Sequence, residues 1–133
     1  MDLFRLFLRM LIRNGIRTPD GTEIFSQHRH DYVSHLDKNG ETYIVDGGIS
    51  YLKRGGPINY KDLSVHLGEV TLESAAKIAT WGTRGKNGDE PLKYIPISEM
   101  SLDHLEAVLA TQTPAPQLKL IMEYQILKMK GDY

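Results

Sequence analysis

Apolar positions along the chain change their spacing twice, and each change predicts a different kind of element. Between Met1 and Ile12, eight apolar side chains crowd together: Leu3, Phe4, Leu6, Phe7, Leu8, Met10, Leu11 and Ile12. Arg5, Arg9 and Arg13 recur at four-residue intervals and place three charges on one helical face, which excludes a membrane span. Residues 1–10 therefore read as a short amphipathic helical extension that docks on the domain or on a partner, in preference to a membrane-surface anchor. No small-x-small cleavage pattern follows it, and Met10 is an alternative start.

From Leu11 to Gly48 the pattern turns to short extended runs separated by turn chemistry. Thr18-Pro19-Asp20-Gly21 lies between Ile12, Ile16 and Ile24, Phe25 and predicts a first hairpin. Tyr32 to Leu36 and Glu41 to Val45 flank Asp37-Lys38-Asn39-Gly40, whose Asn-Gly pair predicts a second. Asp46-Gly47-Gly48 is expected to end the sheet. Ile49 to Arg54 would then lead away as a short helix or extended arm, with Gly55-Gly56-Pro57 a flexible connection.

The second half turns helical. Thr71 caps a predicted helix whose packing face is Leu72, Ala75, Ala76, Ile78 and Ala79, ending around Trp81-Gly82. A polar loop from Gly82 to Glu90 leads to a strand over Lys93 to Ile97. Ser101 caps a helix carrying Leu102, Leu105, Val108 and Leu109, and Thr113-Pro114-Ala115-Pro116 stops it. The last predicted helix carries Leu118, Leu120, Ile121, Met122, Tyr124, Ile126, Leu127 and Met129 around nearly its whole circumference. Such a helix in so small a chain predicts an oligomer interface centred on residues such as Ile121 and Leu127, at least a dimer and up to a hexamer. The expected fold is α+β: a small antiparallel sheet of two hairpins in the N-terminal half, helices in the C-terminal half, and one domain over 1–133.

Composition narrows the function. Sixteen basic against seventeen acidic residues leave a net charge of −1, so no global field draws the chain onto a nucleic-acid polymer or an anionic membrane. The absence of cysteine excludes disulfides, thiol nucleophiles and thiolate metal sites.

Three segments carry candidate chemistry. His28-Arg29-His30 would put two imidazoles on one face of a strand, with Asp31 or Asp46 to complete a metal triad, but hydrogen-bonding or sheet-edge roles suit these histidines better and no metal is expected. His30 is kept as a ligand contact. The loop Gly82-Thr83-Arg84-Gly85-Lys86-Asn87-Gly88 combines three glycines, two cations and two directional polar side chains, and so has the makings of a phosphate cradle as well as of a solvated connection. It is no Walker A loop, because Asn87 follows Gly85-Lys86 and Pro91 forbids the helix such a loop needs. Trp81, the sole tryptophan, could stack an adenine beside it. Lys53 and Arg54 form the other basic cluster.

Two strings exceed generic pattern. His28-Arg29-His30-Asp31-Tyr32 through Val45-Asp46-Gly47-Gly48-Ile49-Ser50-Tyr51-Leu52-Lys53-Arg54 resembles a family of small proteins of phages and their bacterial hosts. Some of those relatives carry CxxC and CxC in the hairpin turns, where this chain has Pro19-Asp20-Gly21 and Asp37-Lys38-Asn39-Gly40, so it resembles a variant whose zinc knuckles became ordinary turns. Trp81-Gly82-Thr83-Arg84-Gly85-Lys86-Asn87-Gly88-Asp89-Glu90-Pro91-Leu92, with Met100 and His104-Leu105-Glu106 beyond, resembles a recurrent ending of phage accessory proteins. Together the strings span Leu11 to about Tyr124.

Within that group the chain resembles the phage anti-Thoeris proteins of the first type, known as sponges, which sequester a cyclic ADP-ribose isomer without cleaving it. The resemblance implies assembly through long helices, pockets shared between protomers, and ligand contacts from Arg54, Trp81 and Asn87. Ala79 stands where relatives often carry a bulky aromatic.

The residues themselves agree in kind: Arg54, Arg84 and Lys86 suit a diphosphate, Trp81 an adenine and Asn87 a ribose, with Lys53, Thr83 and His30 as further ligand contacts. No nucleophile–base pair accompanies them, so binding without turnover, with no cofactor, is expected in the host cytoplasm. The ligand would be a cyclic ADP-ribose isomer or a cyclic oligonucleotide signal. The alternative is an interaction protein that directly inhibits a host enzyme, and a phosphodiesterase built on His28 and His30 ranks last.

Overall fold

Turn chemistry dominates the first half of the computed structural model, which describes residues 3–131. The chain divides into two compact units, Met1–Glu69 and Val70–Tyr133. The first opens with α1 (Leu3–Leu8). This helix is shorter than its apolar run predicts, because Leu11 and Ile12 are drawn into strand β1 (Leu11–Arg13) and buried there. Leu8 packs against Gly68, while Leu3 and Phe4 stay 78% and 68% exposed.

Strand β2 (Gly15–Arg17) pairs antiparallel with β3 (Glu23–Phe25), Ile16 opposite Ile24, across the expected Thr18-Pro19-Asp20-Gly21 turn. The second expected hairpin joins β4 (Val33–Leu36) to β5 (Thr42–Asp46), with Val33 opposite Val45 and Leu36 opposite Thr42. Tyr43 and Val45 project to one face of β5 and are fully buried with Ile16, and Ile24 and Tyr60 pack against them. This is the period-2 pattern of a strand with one covered face.

The sheet does not end at Asp46-Gly47-Gly48. There the chain reverses, and β6 (Lys53–Gly55) returns along β5 with Asp46 opposite Lys53 and Ile44 opposite Gly55. Ile49 to Arg54 is therefore neither a helix nor a departing arm, and Gly55 belongs to a strand. Gly48 permits the reversal. Its φ is +54°, and a Cβ there would strike the His28 carbonyl. Strands β7 (Lys61–Asp62) and β8 (Val65–His66) then pair with β2 and β1 respectively, and a 3-10 turn spans Leu67–Glu69.

In the second unit, Thr71 Oγ1 accepts from the Ser74 N–H at 3.1 Å and caps α2 (Leu72–Ile78) as predicted. The helix stops at Ile78, three residues before the expected end. Thr80, Trp81 and Gly82 gain more from cross-strand pairing than from another helical turn, and they build β9 (Thr80–Thr83) against β10 (Lys93–Pro96), with Trp81 opposite Ile95. A 3-10 turn (Ile97–Glu99) leads to α3 (Leu102–Thr111), capped by Ser101 Oγ on the His104 N–H at 3.1 Å. Helix α4 (Pro116–Lys130) begins with Pro116 in its first turn and ends at Gly131, whose φ of +74° closes the last turn.

Helix α4 has an inner and an outer face. Leu118, Ile121, Met122 and Gln125 are buried at i, i+3, i+4 and i+7, against α2, α3 and the Ile97–Glu99 turn. Alanines 75 and 76 on α2 are buried too, and their small side chains allow close approach. Only Leu120, Leu127 and Met129 of the expected apolar circumference count as exposed, at 37% to 45%. Ile121, expected at an oligomer interface, is instead a core residue of its own unit.

Candidate functional site

Arg54 and Lys53 are neighbours on β6 and so point to opposite sides of the sheet. Lys53 is exposed, whereas the Arg54 guanidinium is drawn inward. Its Nη1 donates to Asn14 Oδ1 at 2.6 Å, its Nη2 donates to Ser64 Oγ at 2.8 Å and lies 3.4 Å from Asp62 Oδ1, and the group sits 5.9 Å from the centre of the Tyr60 ring. Burial pushes the Asp62 carboxyl up, but hydrogen bonds from Ser64 and the Arg54 charge outweigh it and hold the group below its ordinary value.

Asn14, which no motif flagged, is the centre of this network. It is 1% exposed, between β1 and β2, and its Nδ2 donates to the carbonyls of Asp46, Gly48 and Tyr51 at 3.0, 2.8 and 3.3 Å. One amide thus gathers the reversal between β5 and β6 while its oxygen fixes Arg54. Ser26 helps from the other side, accepting from the Gly48 N–H at 2.8 Å and donating to the Asp31 carbonyl at 2.7 Å.

His28, Arg29 and His30 lie in a turn closed by the Asp31 N–H on the His28 carbonyl, not on a strand. The two imidazoles therefore do not share a strand face, and with Asp31 or Asp46 they form no metal-spaced cluster among the described residues. His30 is exposed and makes no side-chain hydrogen bond or ion pair among the described residues.

Trp81 and Thr83 lie on β9, and Arg84, Lys86 and Asn87 on the loop that joins it to β10, all in the second unit. Trp81 is half-buried on β9. The Thr83 hydroxyl accepts from the Gly85 N–H at 3.1 Å, the Glu90 N–H closes the loop onto the Arg84 carbonyl at 2.9 Å, and the Gly88 N–H turns back to the Gly85 carbonyl at 3.2 Å. These bonds give the nine-residue link a defined path. Arg84 and Lys86 are exposed on it, and neither forms an ion pair or side-chain hydrogen bond among the described residues. The Glu90 carboxylate folds against Gly85, where φ is +82° and a Cβ would collide with it. The loop's own acid thus packs onto its glycine backbone.

A second cluster lies where the two hairpin turns of the first unit meet. Asp20 Oδ1 accepts from Thr18 Oγ1 at 2.8 Å and from the Thr22 N–H at 3.0 Å, while its Oδ2 accepts from the Lys38 N–H at 3.1 Å and lies 3.0 Å from His35 Nε2. Hydrogen bonds from Thr22, His35 and Thr18 hold the Asp20 carboxyl far below the usual carboxylate range. Asp37 Oδ1 lies 3.6 Å from the same His35 nitrogen and accepts from the Asp20 N–H at 3.3 Å. Asp37 Oδ2 is buried without a hydrogen-bond partner. Both aspartates carry strong turn signals, but their meeting depends on how one hairpin packs beside the other, which residue spacing does not encode.

Comparison with protein families, with curated proteins and with solved structures finds no match. Among the described residues, no helix is long and apolar enough to cross a membrane.

Proposed function

We propose that this protein binds an anionic nucleotide ligand on the β9–β10 hairpin and sequesters it without turnover, the ligand being a cyclic ADP-ribose-type immune signal. The observation that carries this reading is the pair of cations Arg84 and Lys86, exposed and without an ion pair among the described residues, on a loop whose path is set by its own backbone bonds, with half-buried Trp81 on the adjoining strand. Uncompensated cations on a preorganised loop attract a diphosphate at little ordering cost, and an indole face stacks a purine. Arg54 takes a different part from the one its position suggests: its donors are committed to Asn14 and Ser64, and it supports the first unit's fold. Turnover would need an activated nucleophile, and the Thr83 hydroxyl beside the cations already accepts from the Gly85 N–H.

The test is mass spectrometry of small molecules released by heating protein purified from cells that produce a cyclic ADP-ribose isomer. Intact cyclic signal is expected, with recovery lost in Arg84→Ala/Lys86→Ala. Glu90→Gln is expected to retain more ligand, because the acid packed on the loop is neutralised. An empty spectrum, or a hydrolysed ligand, overturns the reading.

A second reading, direct inhibition of a host enzyme, draws on α1, where Leu3, Phe4 and Leu6 are exposed and no residue is buried. Stoichiometric capture of one host enzyme, lost in Phe4→Asp and accompanied by no bound nucleotide, would select it.

A further inference from the structure

We infer that Asp20, His35 and Asp37 form a divalent-cation site that ties the two hairpin turns of the first unit together, independently of any ligand on the β9–β10 hairpin. One ligand atom from each residue can be chosen such that all lie within 4.8 Å of one another. The three come from separate pieces of backbone: Asp20 from the β2–β3 turn, His35 from β4 and Asp37 from the first position after that strand.

The geometry suits an ion better than it suits the empty cluster. Asp37 has a side chain only 1% exposed, and one of its carboxylate oxygens is buried with no donor. The Asp20 N–H at 3.3 Å and His35 Nε2 at 3.6 Å reach only Asp37 Oδ1, so the desolvation cost of the buried Oδ2 is not offset within the cluster. Two carboxylates and one neutral imidazole supply a charge of −2, which a divalent ion neutralises.

The donor set narrows the metal. One imidazole nitrogen with two carboxylate oxygens suits borderline zinc or the harder, oxygen-preferring manganese over a soft, thiolate-seeking ion. Zinc bonds of ~2.0 to 2.2 Å to nitrogen and oxygen place tetrahedral ligand atoms ~3.4 Å apart. The separations from His35 Nε2, 3.0 and 3.6 Å, straddle that value. On binding, the neutral imidazole takes the tautomer with its proton on Nδ1, so that Nε2 coordinates through its lone pair in place of its contact with Asp20. The Thr18 hydroxyl and the Thr22 and Lys38 N–H groups already orient the Asp20 carboxylate from outside, the supporting contacts a ligating carboxylate needs. Three protein ligands leave a coordination position for water.

The experiment uses the full chain, stripped with chelator, titrated with zinc chloride and separately with manganese chloride, and followed by calorimetry and thermal unfolding. One equivalent of at least one ion is expected to bind and to raise the melting temperature, with the rise reversed by EDTA. Asp37→Asn and His35→Gln are each expected to weaken binding at least tenfold, while His28→Gln and His104→Gln leave it unchanged. His35, a quarter exposed, keeps the test available if the Asp37 variant fails to fold. The inference is overturned if the wild-type chain shows no saturable binding of either ion, or if binding survives unchanged in His35→Gln.

Discussion

Replacing Asn14 by aspartate separates two roles that one side chain performs. The change keeps the shape of Asn14 and strengthens its acceptor toward Arg54, because a carboxylate–guanidinium hydrogen bond is worth roughly 1 kcal/mol more than a neutral one. It also removes the amide donor that serves the carbonyls of Asp46, Gly48 and Tyr51, and sets a negative oxygen against them. Two N–H bonds lost at a site 1% exposed, with their acceptors left unpaired, cost about 2 to 5 kcal/mol. Desolvating the new charge adds to the loss, so Asn14→Asp is expected to destabilise the first unit by about 3 kcal/mol or more at pH 7. A domain has only about 5 to 15 kcal/mol to lose, and a unit this small lies near the lower end. Asn14→Ala, which loses both roles and leaves a small void, is expected to fall in the same range. Urea unfolding followed by circular dichroism reads the change, and amide hydrogen exchange over residues 46–51 localises it. A loss below about 1 kcal/mol for Asn14→Asp would show that the pairing with Arg54 is what matters and that the gathered carbonyls are incidental.

Other residues give equally direct tests. Gly48→Ala forces a Cβ against the His28 carbonyl at a positive φ and is expected to cost about 2 kcal/mol or more in urea unfolding, whereas Gly40→Ala, whose φ is also positive but whose surroundings are open, costs only the backbone term of about 1 kcal/mol. Ile121→Asp buries a charge in the second unit and is expected to abolish cooperative unfolding followed by Trp81 fluorescence, while Leu127→Asp, 45% exposed, leaves the fold intact and lowers the mass by light scattering if the outer face of α4 joins protomers. Because the folded Asp62 carboxyl lies below its ordinary value, the stability it confers is complete above pH ~4 and is lost as the pH falls through the lower folded value. Asp62→Asn is expected to flatten that acid limb of the stability profile measured by urea unfolding.

What local chemistry governs was legible in the residues alone. Both N-terminal hairpins follow from Pro-Asp-Gly and Asn-Gly turn signals, and the starts of α2 and α3 follow from Thr71 and Ser101, because turns and caps are decided within four or five residues. The cations of the Gly82–Gly88 loop and the neighbouring Trp81 were also visible, being contiguous. Elements that rest on distant partners were misread. Trp81 and its neighbours continue a helical pattern until Ile95 offers them a strand to pair with, and Ile49 to Arg54 reads as a departing helix or arm until Asn14, more than thirty residues before it, holds the reversal that returns the chain to the sheet. The final helix counted as apolar all round because composition does not say which side its neighbours will cover, and Ile121 became core only when α2 and α3 packed there. Arg54 could be seen as a cation but not as a spent one, since its partners Asn14 and Ser64 lie 40 and 10 residues away. The meeting of Asp20, His35 and Asp37 belongs wholly to tertiary structure: each aspartate was chosen for its own turn, and only the packing of one hairpin beside the other made two turn residues and a strand histidine into a single charged cluster.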